Sequence, residues 1–507
     1  MAMNNELVFG LVAPLGVDLD STVGSMQETL EGFGYKVVKI SISSFLINRT
    51  TLIDGSIPKH QDAYIDTLQG AGNKLRFESK RNDVLALAAM SEISEARANL
   101  VRSGIASTRI AYVVRQLKTP EEEKLFRKVY GSRFSLIGIF SKTKDRERWL
   151  AGRIADSHNN GTAWTRYEVD ARRLIGVDES EDNDHGQQVR ETFPLSDLFI
   201  TWRGEKEESE LQTDRSFKRQ FQRYVEGLFG EPTFVPTSEE YLMAQAKLVA
   251  LKSADWSRQV GAVIATRNGS IIATGRNDDP KVGGGVVSHR QPVDSSYSFK
   301  MKTVEEIIKG LHDWIKPEFL TKDWPELASD AVSGKLKSTR LMGLGEFGRM
   351  VHAEMAAISD AAARGVATQG QVIFCTTFPC QNCAKHLMSA GIRAMIHIEP
   401  YPKSLVKDMY ENEVVQLPME ALNSPAFTNQ LDQQFPDKFL LVNFMGVAPR
   451  SYDRLFSMPL RRGSQGTRIN WNPKEAVPRL EAPEIDVADY SGLEQVESSF
   501  LKPWLKA

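Results

Sequence analysis

Cysteine is scarce in this chain. Three occur among 507 residues, Cys375, Cys380 and Cys383, all within nine positions. That clustering excludes a disulfide framework and points to a reducing compartment or a metal site. Long apolar runs are also missing. None approaches the ~18 residues that a membrane span needs, so no membrane partner is expected. The opening residues, MAMNNELVFGLVAPLG, carry no basic segment ahead of a long apolar one. No secretory signal is read there, and the cytoplasm is the expected location. Charge of one sign is not in excess either: 63 Lys and Arg stand against 65 Asp and Glu, a formal net charge of −2. A whole-chain basic field for nucleic acid is thereby excluded, although a local basic groove is not.

What is present is ordinary globular protein, 41% hydrophobic and 25% charged, long enough for roughly two to four domains. Residues 6–13 read as a buried strand, a Gly/Pro turn and a helical stretch from Ser21 to Gly32 follow, and Tyr35 to Ile42 reads as a second strand. Strand, helix, strand at this spacing is a βαβ unit and predicts a parallel sheet. Apolar runs recur at Ile110–Val114, Ser135–Phe140 and Leu198–Trp202. The acidic stretch from Asp178 to Asp184 reads as a loop. These features place an α/β domain over residues 1–228. Residues 230–237 read as a linker, and a second domain is expected over 235–450. There a helix from Ser238 precedes a hairpin about Arg267-Asn-Gly-Ser270. Helix, strand, helix, strand and helix then follow from residue 352. An insertion of about 281–350 interrupts this domain, Gly-rich at both ends with a helical middle. Its His289 and His312 have no cysteine neighbour and give no second metal site. Its Arg290, Lys300, Lys302 and Arg340 are cations that could approach phosphate. Residues 451–507 form a Pro- and Arg-rich extension with no readable periodicity.

The strongest chemical signal is His352-Ala-Glu354 followed by Pro379-Cys380-Gln-Asn-Cys383. Cys380 and Cys383 stand three apart at a helix start, which puts both sulfurs on one face. The positive end of the helix favours thiolates, the form that binds metal. Two thiolates and one imidazole make three ligands for Zn2+, leaving the fourth tetrahedral position for water. Glu354, two residues from His352, points elsewhere on its helix. It is a poor fourth ligand but is suited to shuttling a proton beside the metal. The competing reading is a closed structural site with Cys375 as fourth ligand, which leaves Glu354 without a role. The H-x-E…P-C-x-x-C pattern is that of zinc nucleobase deaminases, in which water replaces the amine at C4 of cytosine.

Residues 235–450 resemble the deoxycytidylate deaminases of the cytidine deaminase-like fold. The matching pieces are Asp255-Trp-Ser-Arg258-Gln-Val-Gly-Ala262, Ile271-Ile-Ala-Thr-Gly275-Arg-Asn277, His352-Ala-Glu354, Thr376-Thr-Phe-Pro-Cys380-Gln-Asn-Cys383, Gly391-Ile392 and Glu399-Pro-Tyr-Pro-Lys-Ser404. By this resemblance Glu354 is catalytic, and His352, Cys380 and Cys383 hold the metal. Asn277 and Arg258 bind substrate. Asn277 also reads as a simple turn residue after a strand.

The whole layout is similar to the anti-phage dCTP deaminases, in which a P-loop kinase-like α/β domain precedes a deoxycytidylate deaminase domain. Gly10-Leu-Val-Ala-Pro-Leu-Gly16-Val-Asp18, Tyr112-Val-Val-Arg115-Gln-Leu-Lys118, Val129-Tyr-Gly131 and Phe193-Pro-Leu-Ser-Asp197 carry that likeness. It implies conversion of dCTP and dCMP to dUTP and dUMP, which starves phage replication of a precursor, and in some members a small inhibitory RNA; the cytidine deaminase-like fold implies a homo-oligomer. The glycine motif departs from a working phosphate loop. Its spacing is one residue longer, and Val17-Asp18 stands where Lys-Ser/Thr is required. Gly10, Gly16 and Asp18 are therefore read either as a phosphate-sensing turn without phosphoryl transfer or as an ordinary βα turn. Arg115 and Lys118 are candidate phosphate contacts or surface ion pairs. Two other functions compete: a nucleic-acid (tRNA or single-stranded) base deaminase, and a nucleotide-sensing or RNA-binding module with a relic site.

Overall fold

The computed structural model describes residues 6–48, 53, 56–103, 109–179, 188–202, 217–255, 258–287, 295–315, 322–333, 348–401, 404–419, 433–457, 461–463, 465–467, 469–480 and 497. Two compact units separate. One comprises Met1–Glu240 with Met445–Ala507, the other Tyr241–Phe444.

The first unit is built on a mostly parallel sheet. Its strands are β1 (Leu7–Val12), β2 (Lys36–Ser41), β3 (Ile110–Arg115), β4 (Phe134–Phe140) and β5 (Leu198–Thr201), in the order β5-β4-β1-β3-β2. All neighbours among these five are parallel. The central strands are apolar at nearly every position because helices cover both faces, as the predicted βαβ pattern requires. One face packs Val8, Val12, Tyr112 and Leu136 against helix residues Leu85, Met90 and Phe126. The other packs Phe9, Leu11, Val113 and Ile139 against Val23, Met26, Phe221 and Tyr224. Residues from 445 onward join this unit. Ser451 Oγ donates to Asp197 Oδ1 at 2.6 Å, Trp471 Nε1 to Phe229 O at 3.1 Å, and Arg97 Nη1 to Glu497 Oε2 at 2.6 Å. The extension that showed no periodicity is held by these side-chain anchors and by a short helix, Tyr452–Phe456, whose Leu455 is buried in the core. The acidic stretch divides. Asp178 and Glu179 end the helix Glu168–Glu179, and residues 180–184 lie outside the described residues.

The second unit carries β6 (Gly261–Ala265), β7 (Ile271–Arg276), the two-residue strands β8 (Asp279–Pro280) and β9 (Val286–Val287), β10 (Val372–Thr377), β11 (Ala394–Glu399), β12 (Val414–Pro418) and β13 (Phe439–Asn443). Its main sheet runs β12-β13-β11-β10-β6-β7. β6 and β7 form the expected antiparallel hairpin, with Gly269 at φ +83° in its turn. β10, β11, β13 and β12 pair in parallel. The helices Ala353–Ala363 and Gln381–Ser389 pack through Ala353, Ala357, Ala384 and Leu387 on the face lined by Ala262, Ile264, Ile373, Cys375 and Met395. The insertion leaves and rejoins through one bridge, Asp278 to Val351, directly before His352. Its described helices, Ser295–Trp314 and Trp324–Ser333, share a small core of Val304, Ile308 and Ala328. His289, Arg290 and Arg340 lie outside the described residues, as do Trp256 and Ser257. No helix among the described residues is long and apolar enough to cross a membrane.

Candidate active site

Two helix starts build the site. His352 is the residue before the helix Ala353–Ala363, and Cys380 is the cap of the helix Gln381–Ser389, its Sγ accepting from Cys383 N at 3.4 Å. Pro379, with no N–H, enters ahead of Cys380, so the chain turns from β10 into the helix at the cap itself. The helix periodicity then brings Cys383 back to the same face. His352 Nδ1 lies 3.2 Å from Cys383 Sγ and 3.4 Å from Cys380 Sγ. The ligand atoms of all three residues fall within 4.8 Å of one another. Imidazole and two thiol sulfurs at this separation are a donor set that fits Zn2+, with three protein ligands rather than four. Cys375 belongs elsewhere: it is fully buried within β10, packed in the sheet core.

The electrostatics agree with a site made for thiolate and cation. The Cys380 thiol is lowered to about 4 by the hydrogen bond from Cys383, against the effect of burial and with help from His352. Its partner Cys383 is raised, by that same bond and then by burial. His352 is raised to about 9, mainly by its hydrogen bond to Cys380. Glu354 is 5% exposed, and burial pushes its carboxyl up while His352 draws it down. A close approach of helix to sheet sits under these residues. Gly275 on β7 lies against the backbone of Ala353 and Ala357, which seats the first turn carrying Glu354.

Asn277 follows β7 and is buried, but its amide is already engaged. Nδ2 donates to Asp255 Oδ2 at 2.9 Å and to Arg258 O at 2.6 Å, while Oδ1 accepts from Val260 N at 2.7 Å. Both donors are used, so in this state Asn277 ties Asp255, Arg258 and Val260 together instead of presenting a free amide. The tie holds the Arg258 backbone. The Arg258 side chain is half exposed and stands 3.7 Å from Glu399 Oε2. Asp255 and Tyr401 stand in the matching sequence pieces without an assigned role, yet both reach the metal-ligand group electrostatically. Asp255 favours the charged form of His352, and Tyr401, raised by burial, senses Cys380 and Arg258 together. Their spacing alone gives them no role, because the groups they act on lie far away in sequence.

The N-terminal glycine motif does not assemble the phosphate seat weighed for Gly10, Gly16 and Asp18. Gly10 lies inside β1, where a Cβ would meet Leu117 Cδ1 at 2.9 Å and the Phe134 ring. Gly16 does turn the chain, at φ +95°, but packs against the Arg146 backbone. Asp18 caps the helix Leu19–Gly32, accepting from Asp20 N at 3.0 Å and Ser21 N at 3.2 Å. Leu15 N donates to Asp178 Oδ2 at 2.7 Å, and Lys118 pairs with the other Asp178 oxygen. Arg115 pairs with Asp20 at 2.7 Å. Carboxylates of the chain itself thus take the N–H groups and cations that a phosphate would need.

The sequence profile of the cytidine and deoxycytidylate deaminase zinc-binding region matches residues 236–399. The deoxycytidylate deaminase of Enterobacteria phage T2 is 32% identical over 183 residues, 36% of this chain and 88% of the phage protein. That of Enterobacteria phage T4 is 31% identical over 189 residues, covering 36% and 92%. The crystal structure of the dCMP deaminase from cyanophage S-TIM5 with dCMP and dUMP shares 21% identity, covers 35% of this chain and 92% of the other, and superposes with a TM-score of 0.22. The shared stretch contains the histidine and both cysteines brought together above, and the chain belongs to the cytidine and deoxycytidylate deaminase family.

Proposed function

We propose that this chain hydrolyses free deoxycytidine nucleotides, dCTP and dCMP, to dUTP and dUMP with release of ammonia. The observation that carries the reading is the buried Glu354 beside a three-donor His/Cys/Cys group. A purely structural metal site has no use for a desolvated carboxylate there. His352, Cys380 and Cys383 would hold Zn2+, whose Lewis acidity makes hydroxide available near neutral pH. Glu354 holds the proton lost by the attacking water and passes it to N3 of the base. It then takes the second proton of that water from the C4 hydroxyl and delivers it to the departing amine, as the C4–N4 bond breaks and the C4 carbonyl forms. One water is consumed and one ammonia leaves. Arg258, its backbone held by Asn277, is the cation for the nucleotide.

Unit one is read as a kinase-like regulatory domain on the strength of its parallel order about a central β1. Together with the resemblance to anti-phage dCTP deaminases, this supports dCTP depletion as the purpose of the reaction. A homo-oligomer is proposed by family analogy alone. The test is incubation of the zinc-loaded chain with dCTP, dCMP, CTP and a cytosine oligonucleotide, with chromatography of the products. Uracil in dUTP and dUMP alone is expected, and uracil confined to the oligonucleotide overturns the substrate assignment. Glu354→Ala is expected to keep one zinc and lose turnover. Persistent ammonia release by that variant removes Glu354 from the mechanism.

A further inference from the structure

Beside the cation assigned to the nucleotide stands a carboxylate that the proposed reaction does not use. Glu399 is the last residue of β11 and lies opposite Thr377 of β10. Its Oε2 accepts from Thr377 Oγ1 at 3.3 Å, and its backbone O accepts from Phe378 N at 2.8 Å. Glu399 is thereby fixed against the strand end that leads through Pro379 into Cys380. The same Oε2 stands 3.7 Å from Arg258 Nη1. Arg258 is held at its backbone, where N donates to Asp255 Oδ1 at 3.4 Å and O accepts from Asn277 Nδ2 at 2.6 Å. Its four-atom stem leaves the guanidinium free to turn from Glu399 to an incoming anion. Half-buried Tyr401 feels Cys380, Cys383 and Arg258 together, so the pair belongs to the mouth of the metal group.

The Arg258 side chain is 45% exposed and that of Glu399 25%. An ion pair this open adds little to stability, so the fold gives no reason for a carboxylate at this place. Its effect on a nucleotide is larger. Arginine grips one phosphate with its planar fork. dCTP brings about two more negative charges than dCMP, and both lie beyond the phosphate so gripped. At about 8 Å from Glu399, in water-like surroundings and low salt, one carboxylate opposite two such charges changes an affinity ratio about threefold to sixfold.

We infer that Glu399 is a specificity-determining residue: its carboxylate, opposed to Arg258, penalises each phosphate beyond the first and turns the site towards dCMP over dCTP. The inference rests on the reading of Arg258 as the cation for the nucleotide. It deepens that reading by naming the group that counts phosphates.

The experiment measures kcat/KM for dCTP and dCMP on the zinc-loaded full chain, in magnesium-free buffer at about 0.02 M and about 0.5 M salt. Glu399→Gln keeps the size and an acceptor for Thr377 and removes only the charge. Glu399→Asp keeps the charge. The dCTP-to-dCMP ratio is expected to rise about threefold to sixfold in Glu399→Gln at low salt, and to lie within about 1.5-fold of the parent at high salt. In Glu399→Asp it is expected to stay within about twofold of the parent at both. A ratio that Glu399→Gln leaves unchanged, or an equal loss on both nucleotides, makes the residue merely structural and overturns the inference. So does a shift in Glu399→Asp as large as that in Glu399→Gln, which would assign the effect to shape. The second arm needs no turnover: calorimetric titration of parent and Glu399→Gln with dUTP and dUMP, which carry no amine to lose. A parent that deaminates neither cytosine nucleotide removes the proposed reaction, and the dUTP-to-dUMP affinity ratio then decides alone. The same rise in Glu399→Gln sustains the role of Glu399, and its absence overturns it.

Discussion

Gly275→Ala tests whether the catalytic geometry depends on one close contact. A Cβ built at Gly275 falls 2.9 Å from the Ala356 carbonyl carbon and closer still to Ala353 O and Ala357 N. These are backbone atoms of the helix that begins after His352 and carries Glu354, so no side chain can swing aside. The helix must retreat from β7 by about 1 Å, an overpacking that costs about 1–3 kcal/mol. A displacement of that size at a catalytic group costs about 10²-fold in rate. Melting temperature, zinc content and kcat on dCMP are measured on the same preparation. The expected outcome is a folded, zinc-containing protein with a lowered melting temperature and kcat down about 10²-fold. A variant that keeps kcat within about twofold while folded would refute the claim that β7 sets the position of Glu354.

Three further outcomes are expected. Cys383→Ala removes one of three donors, so zinc measured after dialysis against a chelator falls from about one equivalent to near none; full retention points to a fourth protein ligand. Asn277→Ala removes the amide that bonds the Asp255 carboxylate, the Arg258 carbonyl and the Val260 N–H, and urea unfolding is expected to show a loss of about 2–3 kcal/mol. A raised KM with unchanged stability would make Asn277 a substrate ligand rather than a tether. Burial raises the Asp197 carboxyl, but Arg127, Arg454 and Arg450 outweigh it and hold the group at about 2, below the unfolded value of about 3.9. Its stabilisation is therefore complete above about pH 4 and lost as pH falls from there towards 2. Asp197→Asn is expected to destabilise at neutral pH, with the gap to the parent protein closing in acid, as read by chemical denaturation across pH.

Much of this was legible in the residues themselves. The β1 and β2 runs and the apolar segments at 110, 135 and 198 became parallel strands because burial on both faces demands continuous apolar sequence. The His352, Cys380 and Cys383 group was readable because its spacing is local to two helix starts. β12 and β13 escaped notice: β13 enters between β11 and β12, and only the sheet decides that a short apolar run such as Phe439–Asn443 is a strand. The amide of Asn277 and the carboxylate of Asp178 were unreadable for another reason. Hydrogen-bond partners up to 163 positions apart fix what those groups do, and no window along the chain contains both ends.

The return of residues 445 onward to unit one has a consequence for synthesis. β14 (Gly446–Val447) closes the β5 edge in antiparallel register, Gly446 opposite Phe199. About 250 residues separate these partners, so at about 5–20 residues per second the ribosome leaves that edge bare for roughly 12–50 s. During this interval Leu198–Thr201, apolar but for its last residue, is an open template for stray strands. Unit two is synthesised while its host is still unsealed, and a chain stopped at Phe444 would carry the deaminase unit but leave the β5 edge open.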